Sequence, residues 1–145
     1  MTILLISLVL NACNSNDDDL NQYLNGNYIG IFTVEYIDGT IFTNDVTITF
    51  SGKNNYNSSG DGNNNDFYPA GGNGAYEKRE ATIKFDDTNI WLAHFDWNLI
   101  LNGEYNYSID GNYLIISAYK NDIGFYKYEL EKESLYFMQK HYGLQ

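Results

Sequence analysis

The chain has 145 residues and a single cysteine, so no disulfide can form within it and the core must hold the fold alone. Histidine is almost as scarce. His94 and His141 lie far apart, and neither has a second histidine or a cysteine beside it to build a metal site. Cations are few: 8 Lys and Arg against 19 Asp and Glu give a net charge of −11. That balance argues against nucleic acid and against an anionic lipid surface as partners. No G-x-S-x-G elbow occurs, and glycine pairs such as Gly71-Gly72 do not open a helix, so neither a hydrolase nucleophile nor a phosphate cradle is indicated. Carboxylates are plentiful, as on any acidic surface, and their spacing across strands is not fixed by the sequence. No catalytic residue, metal or cofactor is expected, and the chain is read as a non-enzyme. Hydrophobic runs are short as well. Ile3 to Leu10 is about half of the roughly 20 residues needed to span a bilayer.

That run leads into Leu10-Asn11-Ala12-Cys13. An aliphatic residue, a spacer, a small residue and a cysteine resemble the lipobox that ends a bacterial lipoprotein signal, and Ile3–Leu10 has the length of its apolar segment. Met1 and Thr2 bring no Lys or Arg, which departs from the usual signal and places the expected start upstream. The resemblance implies cleavage after Ala12, acylation of the Cys13 thiol and anchorage to the outer membrane, with two acyl chains giving stable attachment. Residues 1–12 are then a signal peptide and 13–23 an acidic tether. Asn14 to Asp19 (Asn-Ser-Asn-Asp-Asp-Asp) offers nothing apolar to pack. It serves as a solvated spacer, either alone or together with a surface-export signal of the kind that follows the lipidated cysteine in Bacteroidota lipoproteins.

The remaining residues, 24–145, are the length of one domain. They are rich in rings: aromatics make up 17% of the chain, with 14 tyrosines. Period two dominates and period 3.6 is absent. Phe42, Val46, Ile48 and Phe50 alternate with Thr43, Asp45, Thr47 and Thr49. Ala81, Ile83 and Phe85 form a second series. Trp91, Ala93, Phe95, Trp97, Leu99 and Leu101 fall on one face of a third. Tyr105, Tyr107 and Ile109, then Leu114, Ile116 and Ala118, then Tyr126, Tyr128 and Leu130, then Leu135 and Phe137 continue the pattern. Asn102-Gly103 and Asp110-Gly111 are favoured hairpin pairs, and Asn121-Asp122 with Gly124 and the stretch from Glu131 to Ser134 fit slightly longer turns. About eight strands joined mostly by tight turns make an all-β antiparallel up-and-down meander. Closing it into a barrel removes its edges, whereas a sandwich would need longer connections.

Leu24-Asn25-Gly26-Asn27-Tyr28 ahead of a strand resembles the L-x-G-x-W opening of lipocalin-like domains, with Tyr28 where that family usually has tryptophan. Gly103-Glu104-Tyr105-Asn106-Tyr107 and Asp110-Gly111-Asn112-Tyr113-Leu114 are similar to the tyrosine hairpins of small lipocalin-like lipoproteins of the Bacteroidota. The resemblance implies a lipocalin-like barrel, monomeric and held at the cell envelope, that takes a small apolar or amphipathic ligand. Its walls would come from Phe50, Phe85, Phe95 and Trp97. The same rings can instead fill the barrel as a packed core, leaving a structural or interaction protein that works through its outer face. Gly52 to Gly74, rich in Asn, Gly, Ser and Asp around Phe67-Tyr68-Pro69, reads as a mobile insertion, a lid over the barrel mouth, or a short strand at Asn55-Tyr56. Asp61 to Asp66 imitates the start of a calcium loop. It lacks the glycine at its sixth position and the acid at its twelfth, so no calcium site is expected there.

Overall fold

The structure is a computed structural model that describes residues 24–60, 67–92 and 94–134. The signal segment, Cys13, the tether, Asp61–Asp66, Ala93, His141 and the strand expected around Leu135 and Phe137 lie outside the described residues.

The strands are β1 (Gly26–Tyr36), β2 (Ile41–Ser51), β3 (Asn55–Ser58), β4 (Gly72–Lys78), β5 (Thr82–Asp87), β6 (Gly103–Asp110), β7 (Tyr113–Lys120) and β8 (Gly124–Lys132). Each pairs antiparallel with the next, and β1 also pairs with β8 from Tyr28↔Lys132 to Tyr36↔Gly124, so the sheet closes on itself. This is the closed up-and-down barrel that the alternation implied. Every strand has two neighbours, and no row of backbone N–H and C=O groups is left at an edge.

Alternation sends one set of side chains inward. Phe32, Val34, Ile48, Phe50, Tyr56, Ile83, Phe85, Tyr105, Leu114, Ile116, Tyr126 and Tyr128 are all buried. Outward-facing positions carry Asp45, Thr47, Lys84, Asp86, Glu104, Lys127, Glu129 and Glu131. Ile31, Ile109, Tyr113 and Ile115 are exposed among these charges, so the outer wall is mixed while the interior is apolar and aromatic. The closing seam depends on Gly30. A Cβ built there would lie 1.9 Å from the Glu129 carbonyl oxygen, so β1 and β8 meet this closely only without a side chain.

The barrel has two distinct ends. The tether end carries Leu24, the residue 52–54 and 79–81 turns, and Gly111. Leu24 is buried there, and its carbonyl accepts a hydrogen bond from the Tyr76 hydroxyl at 3.1 Å. Beside it the Lys132 ammonium stands 5.9 Å from the centre of the Tyr28 ring. The loop end carries the residue 37–40 and 121–123 turns and the two long connections, residues 59–71 and 88–102.

Two expectations need correction. The Trp91–Leu101 stripe is not a strand. It lies in the β5–β6 connection, with a single 3-10 turn at Trp97–Leu99. β5 already pairs with β6 from Thr82↔Asn106 to Phe85↔Gly103, so the segment is left with an isolated parallel bridge, Gly71↔Ile100, instead of a ladder. Asp96 caps the short turn by accepting from the Asn98 backbone N–H at 2.9 Å. Asn102-Gly103 therefore closes no hairpin; Gly103, at φ +87°, opens β6. The Gly52–Gly74 segment, for its part, contains a strand. β3 pairs with β2 through Phe50↔Tyr56 and with β4 through Tyr56↔Gly74, so the short-strand reading holds and Tyr56 enters the core.

Candidate functional site at the loop end

Two questions decide where a site can lie: what fills the barrel, and what closes its mouth. The interior is filled by rings. Phe85 is central, with Tyr56, Tyr105, Phe50 and Tyr76 around it at centroid distances of 4.8, 5.8, 6.4 and 6.4 Å. Phe50 meets Tyr28 edge-on at 5.5 Å and Tyr76 at 5.1 Å. Tyr105 reaches Tyr128 at 6.2 Å, and Tyr128 reaches Phe32 at 4.8 Å. These separations lie within the range for interacting aromatic pairs, so the rings touch in an unbroken chain across the barrel. Phe50 and Phe85, expected as pocket walls, are 1% and 0% exposed and are part of this packing.

Most of the tyrosines in it keep their hydroxyls satisfied. The Tyr56 hydroxyl donates to the Leu101 carbonyl at 2.6 Å, and burial raises its pKa. The Tyr128 hydroxyl is the exception. It is buried without a hydrogen-bond partner among the described residues, and burial raises its pKa strongly.

The mouth is closed by described parts of the two long connections, residues 67–71 and 94–102. The Ala70 N–H donates to the Leu99 carbonyl at 3.0 Å, and the Leu101 N–H donates to the Gly71 carbonyl at 2.8 Å. Leu99, Ile100 and Leu101 are driven down as a buried lid. Rings tie the upper layer together. Tyr68 stacks on Phe42 at 4.3 Å, Phe67 stacks on Phe95 at 4.6 Å, and Phe95 meets Trp91 at 5.7 Å. The Trp91 indole N–H donates to Asp87 at 2.6 Å.

A polar knot holds the lid to the wall. Asp96 accepts from the Tyr126 hydroxyl at 2.5 Å and from the Tyr36 hydroxyl at 3.1 Å, and its other oxygen takes the Asn98 side-chain amide at 2.8 Å. Burial, and after it the Asp96 carboxylate, push both tyrosine pKa values up. Lys120 reaches in from β7. Its ammonium donates to the Asn102 carbonyl at 2.8 Å and sits 4.3 Å from the centre of the Tyr105 ring. Burial brings its pKa down to about 8, against the opposing pull of Asp96. The carboxylate is thus fully engaged in structural hydrogen bonds. His94 is exposed on the same connection. Among the described residues, no group of three or more His, Cys, Asp or Glu is placed to hold a metal ion.

The four rings expected to line one pocket are therefore split. Phe50 and Phe85 are core, Phe95 is half-buried in the upper layer, and Trp97 is 60% exposed. Trp97 points away from the interior because it sits on the 3-10 turn whose inward residue is Leu99. It has company. Ile37, Ile41, Phe42, Ile90, Leu92, Tyr119 and Ile123 are large apolar side chains exposed at the same end, with Leu92 at 92%. The two turns that carry Ile37 and Ile123 are joined by the Ile37 N–H donating to the Ile123 carbonyl at 3.0 Å. This apolar crown stands on the end of the barrel opposite Leu24, the first described residue.

Two open grooves also run along the outer wall beside Gly30, of about 370 and 430 Å³. Both are lined by Ile29, Gly30 and Glu131, and the first also by Tyr113, Ile115 and Leu130. They lie on the outer wall, where Ile31, Tyr113 and Ile115 are exposed beside Glu129 and Glu131. No family, curated protein or solved structure matches this chain.

Proposed function

We propose that this chain is a lipid-anchored, lipocalin-like protein of the bacterial cell envelope that acts as an interaction module, presenting its loop end to a partner. The observation that carries the reading is the pairing of an interior occupied by its own rings with an apolar crown at one end. A carrier of small ligands needs a concave space of a few hundred cubic ångströms, and the chain of ring contacts through Phe85 occupies the volume where that space would be. Exposed apolar side chains gathered in one region are the usual mark of a protein contact site. The anchor fits the same arrangement. A lipid on Cys13 and a polar spacer up to Leu24 hold the tether end toward the bilayer, so the crown faces away from it. Outer-membrane localisation rests on the lipobox resemblance.

The test uses the full chain in its own cells, with a photo-crosslinking residue placed at position 37, 92 or 97, or at position 53 or 79 on the tether end. The crown positions are expected to trap a protein while the tether-end positions do not. Equal labelling at both ends, or none at the crown, overturns the reading. Intact mass of the same protein checks the anchor: an unprocessed, unacylated N-terminus would remove it.

A further inference from the structure

The charges around the crown are arranged one way. Glu35, Asp38 and Asp122 stand exposed at the loop end. The described cations lie elsewhere or are engaged. Lys53, Lys78, Arg79 and Lys132 are at the tether end. Lys84 and Lys127 are on the wall, ion-paired with Asp86 at 2.8 Å and Glu129 at 3.0 Å. Lys120, the one cation at the loop end among the described lysines and arginines, is turned inward onto Asn102 and the Tyr105 ring. The crown therefore mixes exposed apolar side chains with carboxylates: Ile37 stands beside Asp38 on one turn and Ile123 beside Asp122 on the other. An anionic bilayer is repelled by such a surface. A neutral apolar partner leaves its carboxylates with nothing to pair. A cationic one satisfies both features, with apolar side chains on the crown and ammonium or guanidinium groups on its carboxylates.

Resting on the interaction-module reading, we propose that the loop end is the docking surface for a basic, apolar segment of a partner protein, recognised by the exposed side chains of Trp97, Leu92 and Ile37 and by the carboxylates of Glu35, Asp38 and Asp122 at the same end. The carboxylates set the sign of the partner and the rate of encounter, and the exposed ring and aliphatic chains supply the contact.

Both tryptophans of the chain, Trp91 and Trp97, lie on the 88–102 connection, so tryptophan emission, excited selectively over the 14 tyrosines, reports on this end. The full chain is titrated with three synthetic peptides of identical leucine content whose polar positions are all Lys, all Ser or all Glu. Vesicles of phosphatidylglycerol and of phosphatidylcholine are titrated in parallel. The Lys peptide is expected to shift the tryptophan emission to the blue and to bind about tenfold more tightly than the Ser peptide at low salt, since each exposed ion pair contributes roughly twofold to fivefold. The ratio should shrink as salt is raised. The variant carrying Glu35→Gln, Asp38→Asn and Asp122→Asn should bind both peptides alike. Leu92→Ser with Ile37→Ser should weaken both, with melting unchanged because neither side chain is buried. Equal binding of the Lys and Ser peptides by the unaltered protein overturns the basic-partner inference and leaves the docking surface standing. Tighter binding of phosphatidylglycerol vesicles than of any peptide overturns it in favour of a membrane. Silence toward every probe, together with no crown cross-link in cells, overturns both readings.

Discussion

Replacing Phe85 by alanine tests the packed interior at its centre. The ring is 0% exposed and touches Phe50, Tyr56, Tyr76 and Tyr105. Deleting a buried phenyl side chain costs about 3–5 kcal/mol through lost transfer energy and the cavity left behind. Four ring partners place this site near the upper end, since each aromatic pair contributes roughly 0.5–1.5 kcal/mol beyond its buried area. A closed barrel also relaxes poorly, because moving one strand inward breaks hydrogen bonds on both of its sides. Phe85→Ala should therefore lose about 4–5 kcal/mol in urea unfolding, with the slope unchanged, and should leave a dry cavity large enough to bind a benzene-sized molecule. Trp97→Ala, a larger truncation of a ring 60% exposed at the loop end, should lose under about 1 kcal/mol. A loss below about 2 kcal/mol for Phe85→Ala would refute the reasoning, because the side chain would then border space that already exists. So would a Trp97→Ala loss as large as that of Phe85→Ala.

Tyr128→Phe removes the buried hydroxyl that lacks a partner, and should leave stability unchanged or raise it by up to about 1 kcal/mol in the same unfolding assay. Asp96→Asn weakens the charge-assisted bonds from Tyr36 and Tyr126 and should cost about 1–2 kcal/mol, read as faster amide exchange in residues 88–102 while β8 stays protected. Lys120 gives a pH signature. Its folded pKa of about 8 lies below its ordinary 10.5, so between these values the unfolded chain binds more protons and stability rises with pH. Above about pH 9 the buried tyrosines, raised in the folded chain from an ordinary 10.0, reverse the trend as they begin to ionise in the unfolded chain. Melting temperature should climb from pH 8 to about 9 and then fall, and Lys120→Met should abolish the climb.

The barrel was legible because its inward positions announce themselves. Val46-Ile48-Phe50 alternates strictly against polar neighbours, Leu114-Ile116-Ala118 does so apart from Ile115, and both series face the core as read. β3 was faint for a physical reason. Asn55-Tyr56-Asn57-Ser58 buries one ring, and asparagines at its outward positions look like loop chemistry. The Trp91–Leu101 stripe misled for the opposite reason: alternation of apolar residues is necessary for a strand but not sufficient, and pairing partners decide. The signal that could have found it is Asp96-x-Asn98, an acidic cap at the start of a tight turn. The knot at Asp96 was not legible, because Tyr36 and Tyr126 stand 60 and 30 residues away and meet it only through barrel closure. Gly30 was equally silent, since its role is the absence of a side chain at a seam. The crown followed from neither composition nor period; exposure at one end is a property of the folded whole.

The most direct measurement is the mass of whatever leaves the barrel when protein taken from its own cells, acyl chains removed, is unfolded in a mass spectrometer. A core filled by Phe50, Phe85, Tyr105 and Tyr128 should release nothing but the polypeptide. A stoichiometric apolar molecule, freed only on unfolding, would contradict it and return the interior to the role of a binding pocket.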